Sequence, residues 1–248
     1  MKALILAGEG LNCEQETAEA FRLAGFEPEI RFIADLIAEH VSQTDLVERY
    51  PVLAIPGGFS FGDDLSSGKV LALKIKHGLR WNLAEFAEKG GLVLGVCNGF
   101  QALIRLGVFG RGVSITHNRE GRFVDNWVSC TPQGAKSVWL KGLGTLELPV
   151  RHGEGRLVFD PSLGGAALER LERQGSLCLL YEQDFNGSEH QVAGLCDASG
   201  RILGLMPHPE AFVRWTQSPR WTEDPERASA PGQGVAIFEN AYRACQKG

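Results

Sequence analysis

The sequence predicts an α/β protein: a central, mostly parallel sheet flanked by helices, with an added antiparallel portion. Three observations predict it. In the first half, short strands that are apolar throughout alternate with helical segments, the pattern of a sheet covered on both faces. The second half is richer in strand than in helix. The chain has 248 residues, 44% hydrophobic and 22% charged, enough for a real core. No Pro- or Ser-rich linker and no repeat divides it, so one domain over residues 1–248 is expected.

Each element follows from local pattern. Lys2–Ala7 is an apolar strand that runs into glycines. Glu14–Leu23 has helical spacing, and Gly25 stops it. Residues 28–33 read as strand and 35–40 as a short helix. Val52–Ile55 is a short buried strand closed by Pro56-Gly57-Gly58. Residues 79–88 are helical, Leu92–Val96 is a second apolar strand, and 100–106 a helix. Strands then follow at 123–130, 145–150, 176–181, Val192–Cys196 and 202–206, with helices at 166–174 and Val235–Cys245. Residues 214–234 carry Pro219, Pro225 and Pro231, little periodicity, and Arg-Trp-Thr twice, at 214 and 220. They read as a long surface loop, either ordered by two packed tryptophans or shaped for a partner.

Composition excludes several functions. The net charge is −5, the wrong sign for a protein that grips phosphate backbones, so no nucleic-acid partner is expected. No apolar run approaches the roughly 18 residues of a membrane span, and the N-terminus is too short for a signal h-region. A cytoplasmic protein is expected. Six cysteines, at 13, 97, 130, 178, 196 and 245, form no C-x-x-C pair. Reduced, mostly buried and inert thiols are the expectation. No metal site is expected either, since neither His208-Pro-Glu210 nor His152-Gly-Glu154 has the spacing of a metal-binding helix. Gly68-Lys69 lacks the earlier glycine of a phosphate-binding loop, so ATP is not expected on this chain.

The chemistry concentrates at Gly95-Val-Cys97-Asn-Gly99, where an apolar strand meets a helix. The pattern is the thiol form of a nucleophile elbow. Small residues flank the cysteine because the turn brings backbones close. The turn exposes Cys97 at the carboxyl edge of the sheet, where open α/β folds place their sites. The helix N-terminus behind it favours a thiolate and offers backbone N–H groups to an oxyanion, that of Asn98 first. A cysteine nucleophile needs a proton acceptor and a group to orient it. His208 and Glu210, fixed between prolines at the end of strand 202–206, supply both. Without Cys97, a His-x-Glu pair reads better as a surface loop with a partly buried imidazole. Gly58, in the glycine turn after Ile55, is placed to bring a second backbone N–H.

These residues resemble the class I (triad) glutamine amidotransferases. Within that family the strings Pro56-Gly-Gly-Phe-Ser-Phe-Gly-Asp63, Cys97-Asn-Gly-Phe-Gln101, His152-Gly-Glu-Gly155 and Met206-Pro-His-Pro-Glu210 are similar to those of the glutaminase subunits of phosphoribosylformylglycinamidine synthases. The resemblance covers nearly the whole chain. It implies a flavodoxin-like fold and a set of roles. Cys97 attacks the glutamine carboxamide and forms a thioester, His208 moves the protons, and Glu210 orients His208. The backbone amides of Gly58 and Asn98 form the oxyanion hole, and Gln101 contacts the substrate. Asn118 and Phe123 bound a stretch that holds the amino-acid end of glutamine, or else a polar loop before a strand. His152 and Glu154 serve partner contact or site support. The implied partners are glutamine, a large synthetase subunit that carries ATP and Mg, and a small bridging subunit. One departure is Ala211, where many members have arginine. Another cysteine hydrolase, or a binding module on the same scaffold, remains the alternative. The first histidine after Cys97 is His117, which argues against the former.

Overall fold

The structure is a computed structural model and describes residues 1–63 and 66–247. From the N-terminus the chain runs β1 (Lys2–Ala7), α1 (Glu14–Leu23), β2 (Glu27–Phe32), α2 (Ile33–Ala38), α3 (Gln43–Arg49), β3 (Val52–Ile55) and α4 (Lys69–Leu73). A π-helical turn at Lys74–Leu79 extends α4. There follow α5 (Leu83–Glu88), β4 (Leu92–Val96), α6 (Asn98–Arg105), β5 (Val113–His117), β6 (Val124–Pro132), β7 (Leu146–His152) and β8 (Glu154–Phe159). The chain ends with α7 (Ala166–Arg173), β9 (Leu177–Tyr181), β10 (Val192–Cys196), β11 (Ile202–Leu205) and α8 (Val235–Cys245).

Nine strands make one sheet in the order β2-β1-β3-β4-β11-β10-β9-β6-β7, and β5 pairs with β8 in a separate ribbon. The first five strands are parallel. The last four continue the same sheet antiparallel. The strand order of the parallel half is that of flavodoxin-like folds, whose sites lie beyond the carboxyl ends of the strands. β1, β3, β4 and β11 are buried along almost their whole length because helices cover both faces. The two edge strands differ. β2, Glu-Pro-Glu-Ile-Arg-Phe, is half-exposed, and β7 carries Pro149.

Packing around α1 ties the two ends of the chain together. Phe21 meets Phe26 at 5.3 Å and Phe238 of α8 at 4.9 Å, ring centre to ring centre and edge to face. Asn240 of α8 donates to the carbonyls of Trp139 and Lys141. The amide thus satisfies the buried loop between β6 and β7, which would otherwise lose hydrogen bonds to water.

Several expectations are corrected in detail. Helix 79–88 begins at Leu83, where the Asn82 side chain accepts from Ala84 and Glu85 as an N-cap. Helices α3 and α4 and strands β5 and β8 were not expected. Helix α3 has a capping box between Ser42 and Asp45. Residues 214–234 form three single 3-10 turns closed by a bridge between Arg214 and Pro231. The two Arg-Trp-Thr copies behave differently. Trp215 lies under the Arg227 guanidinium at 3.7 Å, whereas Trp221 is exposed. Arg214 and Arg220 pin the segment to Glu19 and Glu147. No helix is long and apolar enough to cross a membrane among the described residues.

Candidate active site

Cys97 stands between β4 and α6 with φ +50° and ψ −104°, a conformation that ordinary side chains avoid. Two bonds hold it there. Its N–H donates to Leu205 O at 2.8 Å, and its carbonyl accepts from Gln101 N–H at 3.0 Å. The thiol faces the Arg151 carbonyl at 3.8 Å. Close packing explains the flanking glycines. A Cβ on Gly99 would stand 1.9 Å from Ile55 O, and one on Gly95 would stand 2.5 Å from Leu103 Cδ1. The elbow therefore has the geometry its sequence implied: a strained cysteine at the start of a helix.

β11, next to β4, delivers His208 to the same edge of the sheet. His208 Nδ1 and Glu210 Oε1 are 2.6 Å apart, and both side chains are buried. Burial opposes a charge on His208. The Glu210 carboxylate opposes burial and prevails, aided by the thiols of Cys13 and Cys97, so the imidazole is held well above its usual pKa. Its Nε2 and Glu210 Oε2 have no hydrogen-bond partner among the described residues. Orphaned buried polar atoms are costly and cluster where function needs them. His117, the first histidine after Cys97, sits at the exposed end of β5.

The loop after β3 supplies the other wall. Gly58 has φ +147°, and a Cβ there would meet Gly10 O at 2.3 Å. Ser60 N–H donates to Asn98 Oδ1 at 3.3 Å, and Asn98 Nδ2 donates to Gln101 Oε1 at 2.8 Å. Gln101 Nε2 then donates to Glu154 O at 2.6 Å. One chain of hydrogen bonds thus joins the Gly58 loop, the elbow helix and β8. Gln101 is buried, and its Oε1 and Nε2 each hold one bond of this chain beside Cys97.

Asn118 is also committed internally. Its Nδ2 donates to Arg122 O and His152 O, and its Oδ1 pairs with His152 Nδ1 at 3.0 Å. This fixes the loop that presents Phe123. The Phe123 ring is exposed and lies 6.1 Å from the ring of Phe59, next to Gly58. The two aromatics flank the mouth of the site. His152 is buried beneath it.

Burial and the nearby His208 charge push the His152 pKa from 6.5 down to about 4. Between these values the unfolded chain binds a proton at His152 and the folded chain does not. Stability therefore falls as pH drops through that window, by about 3 kcal/mol for a shift of this size. His208 acts elsewhere. Its folded-state pKa is raised, so its contribution is complete below the ordinary imidazole value and is lost as pH rises through the raised one. Urea unfolding of the protein and of His152→Gln, each at neutral pH and near pH 4.5, checks this. The variant should lose less stability on acidification, and an equal loss would assign the effect to another group.

Sequence reasoning missed two neighbours of these residues. Cys13 lies against His208, although it was expected to be inert. Arg151 offers its carbonyl to Cys97. No motif marks either one, but Cys13 follows β1 at the carboxyl edge where sites form. Burial pushes the Cys13 thiol above its usual pKa, raises Cys130 to about 12 and holds Cys178 well above the ordinary thiol value.

Comparisons with known proteins agree with this geometry. A model of the CobB/CobQ-like glutamine amidotransferase domain matches residues 1–245. Phosphoribosylformylglycinamidine synthase subunit PurQ of Dehalococcoides mccartyi is 38% identical over 98% of this chain and 97% of its own length. Its counterpart in Methanococcus maripaludis is 37% identical over 99% and 98%. A chain in the structure of PurLQS from Thermotoga maritima superposes with a TM-score of 0.77, 28% identity and 98% coverage of both chains. A second solved structure, a glutamine amidotransferase of Thermotoga maritima, shares the fold. It is 17% identical, with a TM-score of 0.53 over 100% of this chain and 92% of its own. A family match over nearly every residue, on a strained cysteine beside a buried histidine–glutamate pair, leads to one assignment: the chain belongs to the CobB/CobQ-like glutamine amidotransferase family.

Proposed function

We infer that this chain is the glutaminase subunit of a phosphoribosylformylglycinamidine synthase. The observation that carries the reading is Cys97 at a strained elbow beside the buried His208–Glu210 pair, in a chain similar to PurQ along nearly its full length. The work of each residue follows from its place. Cys97 Sγ attacks the side-chain carboxamide carbon of glutamine. The backbone amides of Gly58 and Asn98 receive the charge that develops on the carbonyl oxygen. His208 gives a proton to the departing ammonia, leaving a γ-glutamyl thioester on Cys97. It then takes a proton from the water that hydrolyses the thioester, and glutamate leaves. Glu210 holds the imidazole in line and stabilises its charged form.

Ammonia set free in water is protonated and diluted, so it must pass directly to the group it aminates. The acceptor chemistry lies on a large synthetase subunit, with ATP and Mg there and a small bridging subunit in the assembly. The complete reaction takes formylglycinamide ribonucleotide, glutamine, ATP and water to formylglycinamidine ribonucleotide, glutamate, ADP and phosphate. One unit, residues 1–248, carries the glutaminase half, with residues 214–234 as a surface loop. We place its work in the cytoplasm, where thiols stay reduced.

Ammonia release from glutamine, with and without the synthetase subunit, tests the reading. The isolated chain should turn over slowly, and release should rise several-fold when the synthetase, ATP and formylglycinamide ribonucleotide are added. No release in either condition, with glutamine failing to shield Cys97 from alkylation, would remove glutamine from the account.

A further inference from the structure

The turn between β7 and β8, His152-Gly-Glu-Gly155, braces both walls of the site. Glu154 O holds Gln101 of the elbow helix. His152 holds the opposite wall through Asn118. The Asn118 N–H donates to Gly153 O at 2.9 Å. Its Nδ2 donates to His152 O at 2.8 Å and to Arg122 O at 3.0 Å. Two carbonyls on Nδ2 leave the amide one orientation, with Oδ1 turned to His152 Nδ1 at 3.0 Å. An amide oxygen accepts and never donates, so Nδ1 carries the proton. Burial and the His208 charge hold the ring's pKa at about 4, so at neutral pH it is an uncharged donor of fixed tautomer.

This histidine carries a penalty. Its Nε2 is buried without a hydrogen-bond partner among the described residues, which an apolar ring would avoid. The slot itself is shaped for a flat ring. A Cβ on Gly155 would stand 2.1 Å from His152 Nδ1, and Phe185 meets the ring edge to face at 5.9 Å. What imidazole adds over phenyl is the Nδ1–H, and Asn118 Oδ1 is placed to receive it. Asn118 in turn closes the loop before Phe123, since its carbonyl accepts from Gly121 N–H at 2.9 Å. The Phe123 ring reaches the Phe59 ring beside Gly58. One N–H thus governs where loop 118–123 stands at the mouth of the site.

We propose that His152 is a positioning residue for glutamine binding: its Nδ1–H, acting through Asn118, holds loop 118–123 where the incoming substrate meets it. The proposal rests on the glutaminase reading and deepens it. His152 moves no proton in the reaction. Without the N–H, Asn118 Oδ1 is buried and unpaired, and the amide turns to recover a partner, which frees the loop. The loop meets the substrate before and during the chemical step alike, so the loss falls on KM and spares kcat. One unpaired buried acceptor corresponds to a rise in KM of roughly 10-fold.

Ammonia release from glutamine, measured with the synthetase subunit present, tests this on His152→Phe and His152→Asn. His152→Phe keeps a ring and loses the donor. His152→Asn loses the ring and keeps a donor, since the amide Nδ2 stands as many bonds beyond Cβ as the imidazole Nδ1. In His152→Phe the KM for glutamine should rise roughly 10-fold at nearly unchanged kcat. In His152→Asn it should stay within about threefold of the unaltered chain. A merely structural role predicts the opposite order, because His152→Asn leaves a cavity beside Gly155 and His152→Phe fills it. Alkylation of Cys97 by iodoacetamide, without glutamine, should proceed at the same rate in all three chains. More glutamine should be needed to shield Cys97 in His152→Phe. In an Asn118→Ala chain, adding His152→Phe should change KM by less than about twofold. A KM for His152→Phe equal to that of the unaltered chain, a loss confined to kcat, or a His152→Asn chain worse than His152→Phe would overturn the proposal. Failure of glutamine to shield Cys97 in the unaltered chain would sink the glutaminase reading itself. A shielded unaltered chain with an indifferent His152→Phe would sink the positioning role alone.

Discussion

With Cys97 replaced by alanine, the chain should release ammonia from glutamine about 10⁴–10⁶-fold more slowly, the scale seen when the nucleophile of a triad is removed. That is about 5–8 kcal/mol of lost transition-state stabilisation. The size reflects the loss of a whole route. Without the sulfur, no thioester forms, and His208 has only water to activate against an unstrained amide. The effect should fall on turnover and leave glutamine binding largely intact, since the Gly58 loop, Gln101 and the mouth aromatics are untouched. Single-turnover ammonia release and equilibrium glutamine binding on the same variant check both halves. Residual activity within tenfold of the unaltered chain would move the nucleophile elsewhere.

Gly99→Ala should damage the fold more than any other single methyl group at the site. The new carbon would stand 1.9 Å from Ile55 O, a backbone atom at the carboxyl end of β3. Neither β3 nor α6 can yield without disturbing its neighbours, because β3 is paired on both sides and α6 is tied through Asn98 and Gln101. Overpacking a rigid interior costs up to about 3 kcal/mol, and at that upper end the melting temperature of a chain this size falls by about 10 °C. Gly144→Ala is the control, since a Cβ there meets nothing within 4 Å. Thermal melting of the two variants side by side decides. Equal melting would show that the elbow tolerates the separation of helix and strand.

The parallel half was legible because its cause is local. A strand covered on both faces must be apolar throughout, and β1, β3, β4 and β11 read that way directly. The elbow was legible for the same reason, since close approach writes Gly95 and Gly99 into the sequence on either side of Cys97. The β5–β8 ribbon was not. Its strands are half-exposed, and the apolar run of Glu154-Gly-Arg-Leu-Val-Phe is confined to its last three residues. Helix α4 hid behind Lys69-Val-Leu-Ala-Leu-Lys, which has no cap and no clear period. Cys13 was invisible for a different reason. Its chemistry comes from residues far along the chain, which only the sheet brings beside it. Gln101 and Asn118 were found as positions, but the partners that occupy their amides were not, because Glu154 O and His152 O are backbone atoms that any residue would supply.

The two borders of the nine-stranded sheet constrain how this protein can meet another. A foreign strand joins a sheet by matching its outermost row of N–H and C=O groups. At one border Pro28 removes a donor, and Glu27, Glu29 and Arg31 surround it with charge. At the other, Pro149 has no N–H, and its carbonyl already receives the N–H of His208 at 2.8 Å. Neither margin can be zipped onto a tenth strand without a break in the ladder. Recognition by another protein is thereby diverted to loops and side chains around the sheet's carboxyl end, where the shapes that differ between proteins are found. The same borders protect the chain from stacking with its own copies.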